Sequence, residues 1–181
     1  MSASTEHLYT IDDLWDFPDD GKRRELIDGM LYVTPMARTR HQEVVGLLTY
    51  CFWDWKQEHG GKVYPGVNVD FDRRTHLEPD VAFARPGREI GDVLSLEEPP
   101  DLVVEVSSPS TKRYDLGVKR DRYAQEGTPE FWFVDLDRDV VLVSVLGEGG
   151  YADPVVYRRG DVIRTKVMPG LAIDVDDIFE R

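Results

Sequence analysis

The residues of this sequence best suited to chemistry are charged groups set among apolar ones. Glu105 lies in the middle of Leu102-Val103-Val104-Glu105-Val106. An ionised carboxylate is costly inside a sheet unless a cation meets it. By the two-residue period of a strand, its face also carries Asp101, Val103 and Ser107. Asp80 opens a second short apolar run directly after Pro79. Neighbouring strands lie about 4.8 Å apart, so carboxylates at matching levels can share one divalent ion through oxygens at roughly 2.1 Å. Lys119 is the third such residue. Leu116, Lys119 and Tyr123 fall at i, i+3 and i+7 of a helical pattern, which puts the ammonium on the face that packs on the sheet. A glutamate on a strand followed by such a helix places carboxylate and ammonium in one pocket. Glu25, opening a hairpin, and His41, opening a helix, are further candidates for a metal site.

Plainer readings accompany each residue. Glu105 fits an edge strand or a salt bridge to a helix, since structural ion pairs perturb carboxylates as readily as active sites do. Pro79-Asp80 is common turn chemistry. Lys119 could snorkel, or pair at i,i+4 with Asp115 for only about 0.3–0.5 kcal/mol. Two of these residues converging on the third would carry far more weight than any one alone.

The elements that must position them can be read from the pattern. Thr10-x-x-Asp13 is a helix-start signal, and Pro18 closes that segment. Asp28-Gly29 between apolar runs predicts a tight hairpin. Val44, Leu48, Cys51, Phe52 and Trp55 form one stripe over residues 41–59, the strongest helix of the chain, stopped by Gly60-Gly61. Val67, Val69 and Phe71 alternate with polar residues as a half-buried strand, residues 80–84 form the next, and residues 87–100 form an acidic loop. Residues 102–106 read as a strand buried on both faces, ending in the polar residues 107–111 with Pro109. A second helix covers residues 114–126, although Gly117 inside it costs about 1 kcal/mol relative to alanine. Strands at 131–134 and 140–145 meet at an Asp137-Arg138 turn, and further antiparallel strands follow. The order predicts an α/β (mixed α+β) fold, a mixed sheet flanked by helices, in a single domain over residues 1–181.

Composition bounds the function. Of 181 residues 41% are hydrophobic and 31% charged, so a packed core is available. The formal net charge of −13 argues against coating nucleic acid or an anionic membrane through bulk charge. It leaves room for a local contact. Lys112, Arg113, Lys119, Arg120 and Arg122 against Asp115 and Asp121 give residues 110–122 a net charge of +3, within the total of −13. That suits a confined phosphate contact, although a solvated helix face would look the same. The single Cys51 allows no intrachain disulfide, and nothing resembles a cysteine-rich metal site. With no basic start, no apolar leader and no long apolar run, the chain reads as soluble and cytoplasmic, with no membrane partner.

Pro79-Asp80 followed by Glu105-Val106-Ser107 resembles the PD-(D/E)xK signature of restriction-endonuclease-like nucleases. The longer set is more specific. Pro79-Asp80-Val81-Ala82-Phe83, the run from Asp101 through Ser107-Ser108-Pro109-Ser110-Thr111, Asp115-Leu116, Lys119, Tyr123, Gly127, and Glu130-Phe131-Trp132-Phe133-Val134-Asp135 together resemble the Uma-two family of endonuclease-like proteins. Glu25-Leu26-Ile27-Asp28-Gly29 and His41-Gln42 fit it too, so the resemblance runs from about Thr10 to the C-terminus. It implies a restriction-endonuclease-like core, DNA as partner and substrate, and phosphodiester hydrolysis with Mg²⁺ or Mn²⁺. Asp80 and Glu105 match the metal-binding, catalytic carboxylates. The lysine expected two residues after the glutamate is Ser107 here, and Lys119 on the following helix is the matching cation. A homodimer would be the simpler assembly for cutting both strands of a duplex. The alternative is a non-catalytic module that keeps the fold to bind DNA or a protein. A weaker third reading, a glycosidase acid/base pair, is disfavoured by a lysine beside the carboxylates.

Overall fold

The structure, a computed structural model, describes residues 7–88, 93–108 and 112–180. Pro109, Ser110, Thr111 and part of the acidic loop lie outside the described residues.

Short α1 (Ile11–Leu14) is started as expected, the Asp13 carboxylate accepting from the amide and the hydroxyl of Thr10 at 2.7 and 2.8 Å. Then β1 (Arg23–Ile27) turns through Asp28 and Gly29, both at positive φ (52° and 82°), into antiparallel β2 (Met30–Thr34). This is the geometry that an Asp-Gly pair accommodates at least cost. The long helix α2 (Thr39–His59) buries Val44, Leu48 and Phe52, as its stripe predicts. At its exit Gly61 is required, because a Cβ there would meet the Ala84 carbonyl at 2.8 Å. Strands β3 (Lys62–Pro65), β4 (Asn68–Asp72), β5 (Thr75–Leu77), β6 (Val81–Ala84), β7 (Ser95–Leu96) and β8 (Leu102–Val106) follow. The second helix comes in pieces, α3 (Lys112–Tyr114), a π-helical turn (Asp115–Lys119) and α4 (Arg120–Gln125). Strands β9 (Glu130–Asp135), β10 (Val140–Gly147), β11 (Gly150–Tyr151), β12 (Val155–Arg158), β13 (Val162–Arg164) and β14 (Ala172–Asp174) lead to α5 (Val175–Ile178).

The strands build two main sheets where the sequence predicts one. A seven-stranded sheet runs β11-β10-β9-β8-β6-β3, with β12 also on β10, and its β8–β9 pair is parallel. A five-stranded sheet runs β2-β1-β5-β4-β7. The early hairpin closes on β5 instead of joining the central sheet, through the pair Leu26–His76. The fold class stands, a mixed α/β architecture with helices on the sheet faces.

Strand β8 is buried at every position, and its alternation divides the core in two. Leu102, Val104 and Val106 face α2 and the C-terminal elements, where Phe52 meets Trp132 edge-on at 5.6 Å. Val103 faces the other way, toward Tyr123 of α4 and toward Ile27 and Leu77 of the five-stranded sheet. Each large apolar side chain so buried contributes roughly 1.5–3 kcal/mol. The second face has a polar end, where Glu105 stands.

Candidate active site

The position of Asp80 follows from strand register. β6 and β8 are antiparallel with Val81 opposite Val104, so one step further sets Asp80 opposite Glu105. Asp80 stands just before β6, where its missing ladder bond is replaced by a side-chain bond: the Val106 amide donates to Asp80 Oδ2 at 2.8 Å. His41, in the first turn of α2, approaches the same oxygen through Nε2 at 3.2 Å. Arg23 of β1 reaches Oδ1 at 2.7 Å. Burial would raise the Asp80 carboxyl, but the His41 hydrogen bond and the Arg23 charge outweigh it and hold it down at about 2. Asp80 is therefore an anion at any pH near neutral.

Lys119 is brought to the same place by the π-helical turn. The extra residue in that turn buries Asp115, while Leu116, half-buried, packs on the same apolar cluster as Tyr123, the face its spacing predicts. Lys119 and Tyr123, four apart, do face inward, and Lys119 is 2% exposed. Its Nζ lies 2.7 Å from Glu25 Oε1 and 2.8 Å from Glu105 Oε1. Tyr123 donates its hydroxyl to the same Glu105 oxygen at 3.2 Å. Burial would strip the lysine of its proton, but the charges of Glu105 and Glu25 push its pKa well above the ordinary value. For Glu105 burial dominates and raises the carboxyl; Lys119 opposes this, while Asp80, Asp115 and Glu25 reinforce it. A salt bridge from Glu105 to a helix is thus present, but inside a cleft that holds other carboxylates.

Glu25 also accepts the Glu78 amide at 2.7 Å, which ties β1 to the segment entering β6. All five sequence candidates, Asp80, Glu105, Lys119, Glu25 and His41, line one small cleft, partly open to solvent, together with Arg23, Ser108 and Asp115. Its lining carries four carboxylates (Glu25, Asp80, Glu105, Asp115) against two permanent cations (Arg23, Lys119). Carboxyl groups thus outnumber permanent cations by two, and a divalent ion would favour their ionised forms.

Two residues of this network were not read from sequence, Arg23 and Glu78. Arg23 bonds the Glu78 carbonyl as well as Asp80, and its Nε lies 3.1 Å from Glu78 Oε2. Each stands two residues before a candidate, Glu25 and Asp80, but nothing in the chain singles out a charge at the start of a strand (Arg23) or between two strands (Glu78). Ser107 holds the position where the signature has lysine. Its hydroxyl instead accepts the Leu136 amide at 2.9 Å and fastens β8 to the end of β9. The basic run after it makes no open patch among the described residues. Lys112 pairs with Asp135 at 2.8 Å, Arg122 with Glu126 and Asp28, and Arg120 lies over Tyr151. The chain's own acids offset most of that charge, with Arg113 left exposed, so the confined phosphate contact expected there is narrower than the charge count implies.

The mixed sheet thus carries a cluster of carboxylates beside β6 and β8, with Lys119 brought to it by the π-helical turn. The family model for Uma2, described as "Putative restriction endonuclease", matches residues 11–176, and the chain belongs to that family. A crystal structure described as a putative nuclease belonging to DUF820 from Anabaena variabilis ATCC 29413 is similar in fold, with a TM-score of 0.79. The two are 17% identical over 94% of this chain and 97% of that one. No curated protein matches the sequence. The protein is nuclease-like in fold and family. Among the described residues, no helix is long and apolar enough to cross a membrane.

Proposed function

We propose that the protein is a metal-dependent deoxyribonuclease, with Mg²⁺ or Mn²⁺ held by Asp80 and Glu105. The observation that carries this reading is the pairing of those two carboxyl groups by register in a cleft where acids outnumber permanent cations, with Lys119 against one of them. Hard oxygen donors suit these ions over zinc. Among the described residues no three His, Cys, Asp or Glu side chains form a ready cage. That agrees with Mg²⁺, which keeps several waters and commonly takes only one or two protein carboxylates beside the substrate phosphate. When bound, the ion would lower the pKa of a water and polarise a phosphate oxygen.

The chain's own residues do the rest. Asp80 supplies a permanent anion, oriented by His41 and the Val106 amide. Arg23 is the counter-ion of Asp80 and would share that carboxylate with a bound ion, while its link to Glu78 ties it to the segment entering β6. Lys119, fully charged, orients the attacking water or neutralises charge on the phosphate, and it cannot act as a base. Glu25 and Tyr123 hold Lys119 and Glu105 in place. The test is cleavage of plasmid and single-stranded DNA with Mg²⁺ or Mn²⁺ by the wild type and by Asp80→Asn, Glu105→Gln and Lys119→Met. Metal-dependent cutting lost in the variants supports the reading; cutting that survives all three overturns it.

A further inference from the structure

The rim of the cleft has a chemistry of its own. Ala37 and His41, which line the cleft, flank Arg38, the residue that begins α2. Two residues on, Arg40 donates to the Leu136 carbonyl at 2.5 Å and pairs with Asp139, so the start of α2 rests on the turn between β9 and β10. Arg138 stands in that turn. The exit of β8 reaches the same place. Ser107 holds the Leu136 amide, Ser108 lines the cleft, and the Lys112 amide returns to the Ser108 carbonyl at 3.3 Å. Arg113 follows in α3. Three segments far apart in the chain thus meet at the end of β8 and β9, and each brings an arginine.

These three differ from the other cations around them. Asp135 takes Lys112 at 2.8 Å, and Asp139 takes Arg40 and Arg159 at 2.5 and 3.2 Å. Asp137 has Lys112 at 3.9 Å, and Arg159 is shared with Asp176. Arg38, Arg113 and Arg138 are exposed, and among the described residues none of them has an ion pair or a side-chain hydrogen bond. Arg38, Arg40, Lys112, Arg113 and Arg138 set five positive charges against the three of Asp135, Asp137 and Asp139. Counting Glu43, further along α2, still leaves a surplus of one on a chain of net charge −13. The helix itself adds to it, since no side chain caps the start of α2 and no acid stands in its first turn.

An exposed arginine without a partner contributes little to folding, and its planar fork is suited to gripping a phosphate with two hydrogen bonds. Three of them around one opening suit a chain of phosphates that leads into it. We propose that this rim is the backbone contact of the nucleic acid substrate, with Arg38, Arg113 and Arg138 holding the phosphates that flank the scissile one. Only the place of the scissile phosphate is taken from the nuclease reading; the rim stands on its own residues. The cleft repels a polyanion through its acids, and a rim of unpaired cations supplies the attraction that brings the strand to it. Contacts of this kind carry no base information, so the grip is indifferent to sequence. They are also few, which agrees with an acidic body that resists a long phosphate footprint.

The test is fluorescence anisotropy with labelled 20-nucleotide DNA, single-stranded and duplex, in two unrelated sequences. It uses the full chain in EDTA, so that binding is read without metal-supported cutting. Three phosphate contacts predict that affinity falls by roughly 20- to 40-fold between 50 and 200 mM KCl, equally for both sequences. Arg38→Ala, Arg113→Ala and Arg138→Ala should each lower the slope of log affinity against log salt by about one contact's worth, and the triple variant should lose less than about 3-fold over the same range. Arg164→Ala, an exposed arginine on β13, is the control and should leave the slope as it is. Thermal unfolding of the triple variant should match wild type, because none of the three arginines has a partner in the fold. No binding of either DNA, an unchanged slope in the triple variant, or an equal fall in Arg164→Ala overturns the rim. Metal-dependent cutting is scored separately. A protein that cuts but keeps its slope in the triple variant loses only the rim, and one that binds through the rim without cutting keeps the rim and loses the nuclease.

Discussion

Glu105 and Glu130 are each 3% exposed, on the neighbouring parallel strands β8 and β9, and burial raises both carboxyls. Their surroundings separate them. Glu130 is enclosed by neutral donors, with Trp132 Nε1 at 2.7 Å on one oxygen and the Thr165 hydroxyl at 2.8 Å on the other. Glu105 meets an ammonium, has Asp80 opposite it in register and lines an opening. A perturbed carboxylate is therefore not by itself a mark of function in this molecule. What marks the cleft is a second carboxylate, a permanent cation and access for a ligand. The Glu130 region has a closed hydrogen-bond set and reads as architecture, tying β9 to the C-terminal segment.

The largest effect that would separate the two regions is expected at Lys119. Lys119→Met leaves Glu25 and Glu105 buried without their shared cation and should lower stability by about 3–5 kcal/mol in urea denaturation. A loss below about 1 kcal/mol would show that the cleft is wetter than its exposure indicates. Next comes activity. Glu105→Gln should reduce metal-dependent DNA cleavage by roughly 10²–10³-fold, while Glu130→Gln leaves it unchanged. Equal losses at both would erase the distinction. His41→Ala removes a group that positions Asp80 and should weaken Mn²⁺ binding by about 10–100-fold in calorimetry, with the fold retained.

The smallest effect concerns pH. The Glu130 carboxyl is raised in the fold, so the stability it contributes is present below the ordinary carboxylate pKa and is lost as pH rises through the raised value. Glu130→Gln keeps an acceptor for Trp132 and offers a donor to Thr165. It should be more stable than wild type at neutral pH, with the gap closing below about pH 4. A variant less stable than wild type at pH 7 would mean that the Glu130 charge is needed.

Much of this could be read from the chain, for identifiable reasons. The hairpin came from Asp-Gly, helix α2 from its apolar stripe, and β8 from a run of branched residues that admits little else. Glu105 and Lys119 stood out because each breaks the pattern of its own element. The separate five-stranded sheet did not, because which strand a hairpin pairs with is decided by long-range contacts such as Leu26–His76. Nor did Arg23 and Glu78, ordinary charges at a strand start and between two strands until Asp80 and Glu25 are placed beside them. The basic run after β8 misled in the opposite sense, since charge counts along a sequence do not see Asp135, Glu126 and Asp28 arriving from elsewhere.

A crystal soaked in Mn²⁺ and measured at the manganese edge tests the central claim most directly. The account predicts an anomalous peak within coordination distance of both Asp80 and Glu105. Anomalous density elsewhere, or none at the cleft under conditions in which the protein cuts DNA, would contradict it.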